Sequence, residues 1–343
     1  MWQIIGQAKS VSQLERAIGT GSVSHAYLLV GPPHVGKMTL ALNLAQALNC
    51  EREDKPCGSC PSCQKIAAGK HADVRVMSLN SEASEDNRAK ISVEQVEELQ
   101  HSVSLPPFEG KFRVFIIDGA EYFSTGASNR LLKTLEEPVG NVVFILLTAN
   151  DKLLLPTIVS RCQKLEMALV PAAVIEESLK KLWNTEPEKA KLLSRLAHGC
   201  PGWAVSSIKD ENILKQRDEL LDKLLDVAQG DAEERFAYSN QLVNQYGQNR
   251  NAVYAKLDLW LDWWRDLLLV KAGSLENVTN VDRLSILQEI ADGLSLAQIR
   301  AFIKSIKSAE LHLRQNVNSR LVFETMLLDV PEIKQDNRVA SGV

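Results

Sequence analysis

Ala26-Tyr27-Leu28-Leu29-Val30-Gly31-Pro32-Pro33-His34-Val35-Gly36-Lys37-Met38-Thr39 decides the fold class. The first five residues are a buried-strand run. They lead into a loop of the pattern G-x-x-x-x-G-K-[ST], complete except that Met38 stands where the hydroxyl belongs. In such a loop glycines let backbone N–H groups approach phosphate, the lysine reaches the outer phosphates, and Ser or Thr ligates Mg²⁺. Gly31, Gly36 and Lys37 are thus candidate nucleotide contacts. Thr39 is a weaker one, because on the following helix one residue turns a side chain by about 100°. The loop reads as degenerate, with low occupancy by ATP or ADP expected.

Working outward, Leu40, Leu44 and Leu48 share one face of the helix after the loop. Val74 to Leu79 reads as a strand, Asn80 to Lys90 as a polar loop, and Ile91 to Ser102 as a helix. Arg113 to Asp118 is a central strand ending in a carboxylate, Gly126 to Glu137 a helix stopped by Pro138, and Val142 to Thr148 another apolar strand. This alternation implies a parallel sheet covered by helices, with ligands at the carboxyl ends of its strands. Strand signals fade after about residue 165. Residues 172–208 and 210–330 read as helical. Trp260, Trp263 and Trp264 fall on one helix face, where core packing is favoured over base stacking.

A chain of 343 residues exceeds one hydrophobic core, so two or three domains are expected. With 45% hydrophobic and 24% charged residues it reads as a globular protein, and a net charge of −4 argues against free-standing, non-specific binding of nucleic acid. The start has no basic and apolar signal segment, and the apolar runs are too short to span a bilayer, so a cytoplasmic location is expected.

Four of the six cysteines form Cys50-x6-Cys57-x2-Cys60-x2-Cys63. Two C-x2-C knuckles with a fourth thiolate at the end of the preceding helix suit a tetrahedral Zn²⁺. Free or disulfide-linked cysteines are the bland alternative. An iron–sulfur cluster is the rival, but the ferredoxin run wants another Cys four residues after Cys63, where Ala67 stands. Four thiolates close the coordination sphere, so the metal is structural. Cys162 and Cys200 read as buried small hydrophobes.

A strand ending in a carboxylate, as at Asp118, is where nucleotide hydrolases of this type hold Mg²⁺, usually with a neighbouring Glu to activate water. Here the neighbour is Gly119. Glu121 is displaced by two residues and reads as a poor base.

Taken together, these stretches resemble bacterial DNA polymerase III clamp-loader subunits of the AAA+ class, most of all the delta-prime type. The resemblance rests on His25-Ala26-Tyr27, the four-Cys module, and Ser124-Thr-Gly-Ala-Ser-Asn-Arg-Leu-Leu-Lys-Thr-Leu-Glu-Glu-Pro138. It also rests on Leu155-Pro-Thr-Ile-Val-Ser160-Arg161-Cys162 and Asn316-Val-Asn318-Ser-Arg320-Leu.

What this resemblance implies is an AAA+ α/β nucleotide-binding-type domain over residues 1–165 with a zinc module at 50–63. A small helical lid over 166–208, a helical collar over 209–330 and a tail at 331–343 would follow. Active members of the family carry a hydroxyl at Met38, an acid at Gly119 and a phosphate-contacting lid Arg at Trp203; all three are missing here. Arg161 matches the family's arginine finger, which acts on a neighbour's nucleotide. The expectation is a stator-like subunit without ATPase activity of its own, within the DNA polymerase III holoenzyme. Its expected partners are gamma/tau-type and delta-type subunits, with the sliding clamp and primed DNA reached through the complex. Two alternatives are an active gamma/tau-type ATPase and a zinc-bearing DNA- or partner-binding module on a vestigial AAA+ fold.

Overall fold

A computed structural model of the chain describes residues 2–78, 91–137 and 140–333. Leu79, the expected loop at 80–90, the helix stop at Pro138 and the tail from 334 lie outside them. Two compact units emerge, Met1–Thr185 with Ala197–Val205, and Glu186–Leu196 with Ser206–Val343.

In the first unit β1 (Ala26–Val30), β2 (Val74–Met77), β3 (Arg113–Asp118), β4 (Val142–Thr148) and β5 (Gln163–Glu166) form one sheet in the order β2-β3-β4-β1-β5. Every neighbouring pair is parallel, with Leu28 beside Leu146 and Ile116 beside Ile145. All seven residues of β4 are buried, as a strand covered on both faces requires. Alternation along the strands sorts their side chains between two layers. Tyr27, Leu29, Ile116 and Ile145 meet α1 (Ala8–Gly19) and α2 (Lys37–Asn49) through Leu14, Leu40, Leu44 and Leu48. On the opposite face Leu28, Phe115, Phe144 and Leu146 meet α4 (Val93–Val103) and α5 (Thr125–Glu136) through Val96, Leu99, Leu131 and Leu135. Each such fully buried aliphatic side chain contributes about 1.5–3 kcal/mol. The short α3 (Pro61–Ala67) sits between α2 and β2 in the chain.

Local signals set the helix ends. Ser92 and Gln95 form a reciprocal capping box that starts α4 two residues later than the periodicity suggested. At α5 the hydroxyl of Ser124 accepts the N–H of Ala127, so the helix begins at Thr125. Beyond β4 come α6 (Pro156–Val159) and α7 (Ala172–Trp183). Next, α8 (Pro187–Leu196) belongs to the second unit, and α9 (Pro201–Lys209) crosses the division after Val205.

The entry to β3 is held by two side chains. Buried Asp73 accepts the N–H groups of Phe108, Glu109 and Gly110, each at 2.8 Å, and pairs with Arg113 at 3.3 Å. Asn49, at the end of α2, accepts from Lys111 and Phe112. Five successive backbone donors are satisfied in this way, which fixes where β3 starts.

In the second unit α10 (Asn212–Gln229), α11 (Ala232–Gln248), α12 (Arg250–Lys271), α13 (Leu284–Gly293), α14 (Leu296–Arg314) and α15 (Ser319–Leu328) enclose a separate core. Trp260, Trp263 and Trp264 are buried in it, and Trp264 lies 4.6 Å from the ring of Phe302. They are core residues, as their spacing suggested. Asp266, fully buried, accepts the N–H groups of Thr279 and Asn280 and pins the connection between α12 and α13.

Burial pushes the pKa of Asp73 up, but its three backbone donors and Arg113 more than offset this and hold it below the usual range. A depressed carboxylate stabilises the fold above its unfolded pKa, near 3.9, and loses that contribution as pH falls through the folded value. Asp73→Asn is therefore expected to cost about 2 to 4 kcal/mol at pH 7. In urea titrations its deficit against the wild type should narrow only below about pH 4.

Candidate phosphate-loop site and cysteine cluster

The sheet delivers the loop Gly31–Gly36 to the carboxyl end of β1, between β4 and β5. A Cβ on Gly31 would stand 2.8 Å from the carbonyl oxygen of Met167, so only glycine lets the two backbones pass. His34 and Gly36 adopt left-handed backbone, at φ 61° and 107°, which brings the chain round into α2. Lys37 turns back on the loop itself: its Nζ donates to the carbonyls of Gly31 at 2.6 Å and Pro32 at 2.8 Å. Burial lowers the pKa of Lys37, opposed by the charges of Asp118, Glu121 and Cys200. Met38 packs against the apolar layer beneath α2, whereas Thr39 is exposed.

Cys200-Pro201-Gly202-Trp203 closes on the loop from the start of α9. The N–H of Gly202 donates to the carbonyl of His34 at 2.8 Å, and a side chain there would collide with that same carbonyl at 2.7 Å. Half-buried Trp203 therefore follows a residue in direct contact with the loop. Cys200 and Cys162 are only half-buried, which corrects the expectation of buried cysteines. Cys162 packs at the margin of the layer under β3 and β4, while Cys200 follows the left-handed Gly199 at the lip of the loop.

Asp118 ends β3 beside Leu147 of β4. Gly119 then turns left-handed, φ 77° and ψ 49°, and a Cβ on it would lie 2.7 Å from the ring of Tyr122. This is the position at which an acidic neighbour of Asp118 would stand, and the backbone there is built for glycine. Glu121 is nearer to the loop than its spacing suggested. One of its oxygens accepts the N–H of Ala149 at 3.1 Å, the other is buried without a hydrogen-bond donor among the described residues, and its charge acts on Lys37. The sequence gives no sign of this, because the fixing group is a backbone amide at the end of β4.

Arg161, just after α6, is oriented by two acceptors. Its Nη1 donates to the carbonyl of Thr157 at 3.0 Å and its Nη2 to the Glu136 carboxylate at 2.7 Å. About a third of its side chain (34%) faces solvent. Glu136 is a residue that sequence reasoning missed, since only folding brings it across 25 positions to Arg161.

Cys50 ends α2, Cys57 lies in the following turn, and Cys60 caps α3 with Cys63 in its first turn. All four sulfurs lie within 4.8 Å of one another. A tetrahedral ion with sulfur at about 2.3 Å would set them about 3.8 Å apart, and Cys57 and Cys63 already stand at 4.0 Å. The N–H of Cys60 points at the sulfur of Cys57, and that of Cys63 at the sulfur of Cys60. Hydrogen bonds led by the backbone N–H of Ser59 pull the Cys57 thiol down to about 5, whereas burial pushes Cys63 up to about 12. The four cysteines make a set fit to hold one metal ion.

A family model described as DNA polymerase III, delta subunit, matches residues 6–170, and one for the C-terminal part of that subunit matches 211–332. The delta' subunit of Bacillus subtilis DNA polymerase III is 27% identical over 327 residues, covering 95% of this chain and 96% of that one. The tau subunit of Escherichia coli is 34% identical over 203 residues, covering 57% of this chain. This chain spans only 30% of that tau subunit's length. Among solved structures, a gamma subunit-related protein of Thermotoga maritima aligns at 15% identity and a TM-score of 0.43, covering 92% of this chain and 97% of that one. The fold is of the AAA+ type, a parallel five-stranded sheet with a helical C-terminal part. Matched by delta-subunit models in both of its halves and by a delta' subunit along 95% of its length, the chain belongs to the DNA polymerase III clamp-loader family of delta', gamma and tau subunits.

Proposed function

We propose that this chain is a non-hydrolysing, stator-like subunit of the replicative clamp loader, completing the ring of ATPase subunits and presenting Arg161 in trans to a neighbour's nucleotide. The observation that carries the first half is Gly119. Its left-handed backbone, filled in by the Tyr122 ring, leaves no room for a water-activating acid beside Asp118. Met38 faces the apolar layer where a Mg²⁺ ligand would be needed, and Lys37 is occupied by the loop's own carbonyls. Lost together, the metal's hydroxyl and the water-orienting acid each take orders of magnitude from a hydrolysis rate. Arg161 supports the second half, because its planar fork is partly exposed, oriented and still has donors to offer.

On this reading residues 1–165 form the nucleotide-binding-type domain, 166–208 a lid, 209–330 a collar joining the ring, and 331–343 a tail. The partners are gamma/tau-type and delta-type subunits in the cytoplasm, with clamp and primed DNA engaged by the whole complex. Cys50, Cys57, Cys60 and Cys63 hold a structural Zn²⁺, which adds folding free energy and leaves no position open for catalysis.

Two assays test the role. The purified chain is expected to show negligible Mg²⁺-dependent ATP turnover; a rate like that of an ordinary loader ATPase would make it an active gamma/tau-type motor instead. In the reconstituted complex Arg161→Ala is expected to lower turnover at the facing site by about 10³ to 10⁵, so total ATPase falls by that site's share. No change would sink the trans role.

Backbone conformation predicts that reversal is not simple. Gly119→Glu, alone or with Met38→Thr, restores no turnover, and it lowers stability by about 1–2 kcal/mol for a side chain in left-handed backbone. Thermal melts and steady-state ATPase assays check both statements.

The metal is tested separately. Elemental analysis should find about one zinc per chain. Removal by a chelator should lower the melting temperature, and Cys60→Ser should do the same while losing the metal. Bound iron would overturn the assignment.

A further inference from the structure

We infer that Glu136 is a positioning residue for Arg161, holding the guanidinium ready before a neighbour's nucleotide arrives. This rests on the reading of Arg161 as a trans-acting finger. An arginine on the surface is long and rotamer-rich, and an unrestrained one must be ordered each time it meets its anion. Here two acceptors from different elements already fix it. The carbonyl of Thr157 in α6 takes one N–H of Nη1, and Glu136, the last residue of α5, takes one N–H of Nη2.

The contact with Glu136 is through a single oxygen. A guanidinium has five N–H donors, so two used leave three, at a side chain that is 34% exposed. A carboxylate that sequestered the arginine would pair with it through both oxygens and occupy the fork. A one-point tether orients the fork and leaves its bidentate capacity for phosphate oxygens. Among the described residues the Glu136 carboxylate makes no hydrogen bond or ion pair other than that with Arg161. Both groups are about a third to half exposed, and a pair of this kind is worth a factor of about two to five.

The test uses the reconstituted clamp-loader complex with clamp and primed DNA. Glu136→Ala is expected to lower kcat for ATP two- to fivefold at the site facing Arg161, with KM unchanged, while melting temperature and assembly on a sizing column stay as in the wild type. Glu136→Gln keeps an acceptor at the same reach and should retain more than half of the activity; Glu136→Asp, one methylene short, should behave like Glu136→Ala. Glu177→Ala, which removes a comparable surface pair with Lys181, serves as the control and should change nothing. Arg161→Ala runs alongside. If it has no effect, the finger reading itself falls. If it impairs turnover while Glu136→Ala is fully active or faster, the positioning role is overturned and a fast variant would make Glu136 a competitor. Should Glu136→Ala fail to assemble, the Gln and Asp variants decide, and equal activity of the two overturns the inference.

Discussion

Burial of β4 on both faces is the constraint on which the rest of the first unit depends. A strand with seven buried residues in a row needs cover on both faces, which here comes from a helical layer on each side of a parallel sheet. That placement sets β1 on one flank and β3 on the other, all three running the same way. Their carboxyl ends then bring the phosphate loop, Asp118 and the amide of Ala149 to one edge of the sheet. Glu121 is drawn in by that amide. Apart from Asp118 and Glu121, which lie on one short turn, these groups are far apart in the sequence; the register of three apolar strands is what collects them.

At that edge the chain answers its own polar groups. Lys37, partly withdrawn from water, is offset by two loop carbonyls and by the charges of Asp118 and Glu121. His34, at the tip of the loop, gives its carbonyl to Gly202. A polar group partly withdrawn from water and left unpaired costs free energy, so the loop needs such partners. Here it finds them. Any anion entering the loop would have to displace Lys37 from two hydrogen bonds it already makes.

Much of this was legible in the sequence because the signals were local. The apolar run Ala26–Val30 feeding Gly31 to Lys37 fixed a strand, a loop and a helix in order, and the spacing of Cys57, Cys60 and Cys63 fixed a knuckle geometry that the sulfur positions match. The three tryptophans of α12 were placed by periodicity alone. Missed features share a cause: each depends on a partner far away along the chain. Glu121 looked misplaced because the group that fixes it, the N–H of Ala149, is 28 residues on. Glu136 lay inside a quoted stretch, yet nothing local ties it to Arg161. Cys200 looked like core because burial was inferred from residue type, whereas its backbone turn puts it at the rim of the loop.

The turn at Gly119 constrains which residue can follow Asp118. In an ordinary turn an acid could follow Asp118 at little backbone cost. A left-handed backbone cannot accept it so cheaply, since the new Cβ meets both an unfavourable torsion and the Tyr122 ring. The preference for glycine is therefore built into the main chain at the end of β3. Arg161 is held instead by α5 and α6, through the carboxylate of Glu136 and the carbonyl of Thr157. Among the described residues the two sets of groups share an apolar layer but no hydrogen bond, so the orientation of Arg161 is set by Glu136 and Thr157 and not by the turn at Gly119.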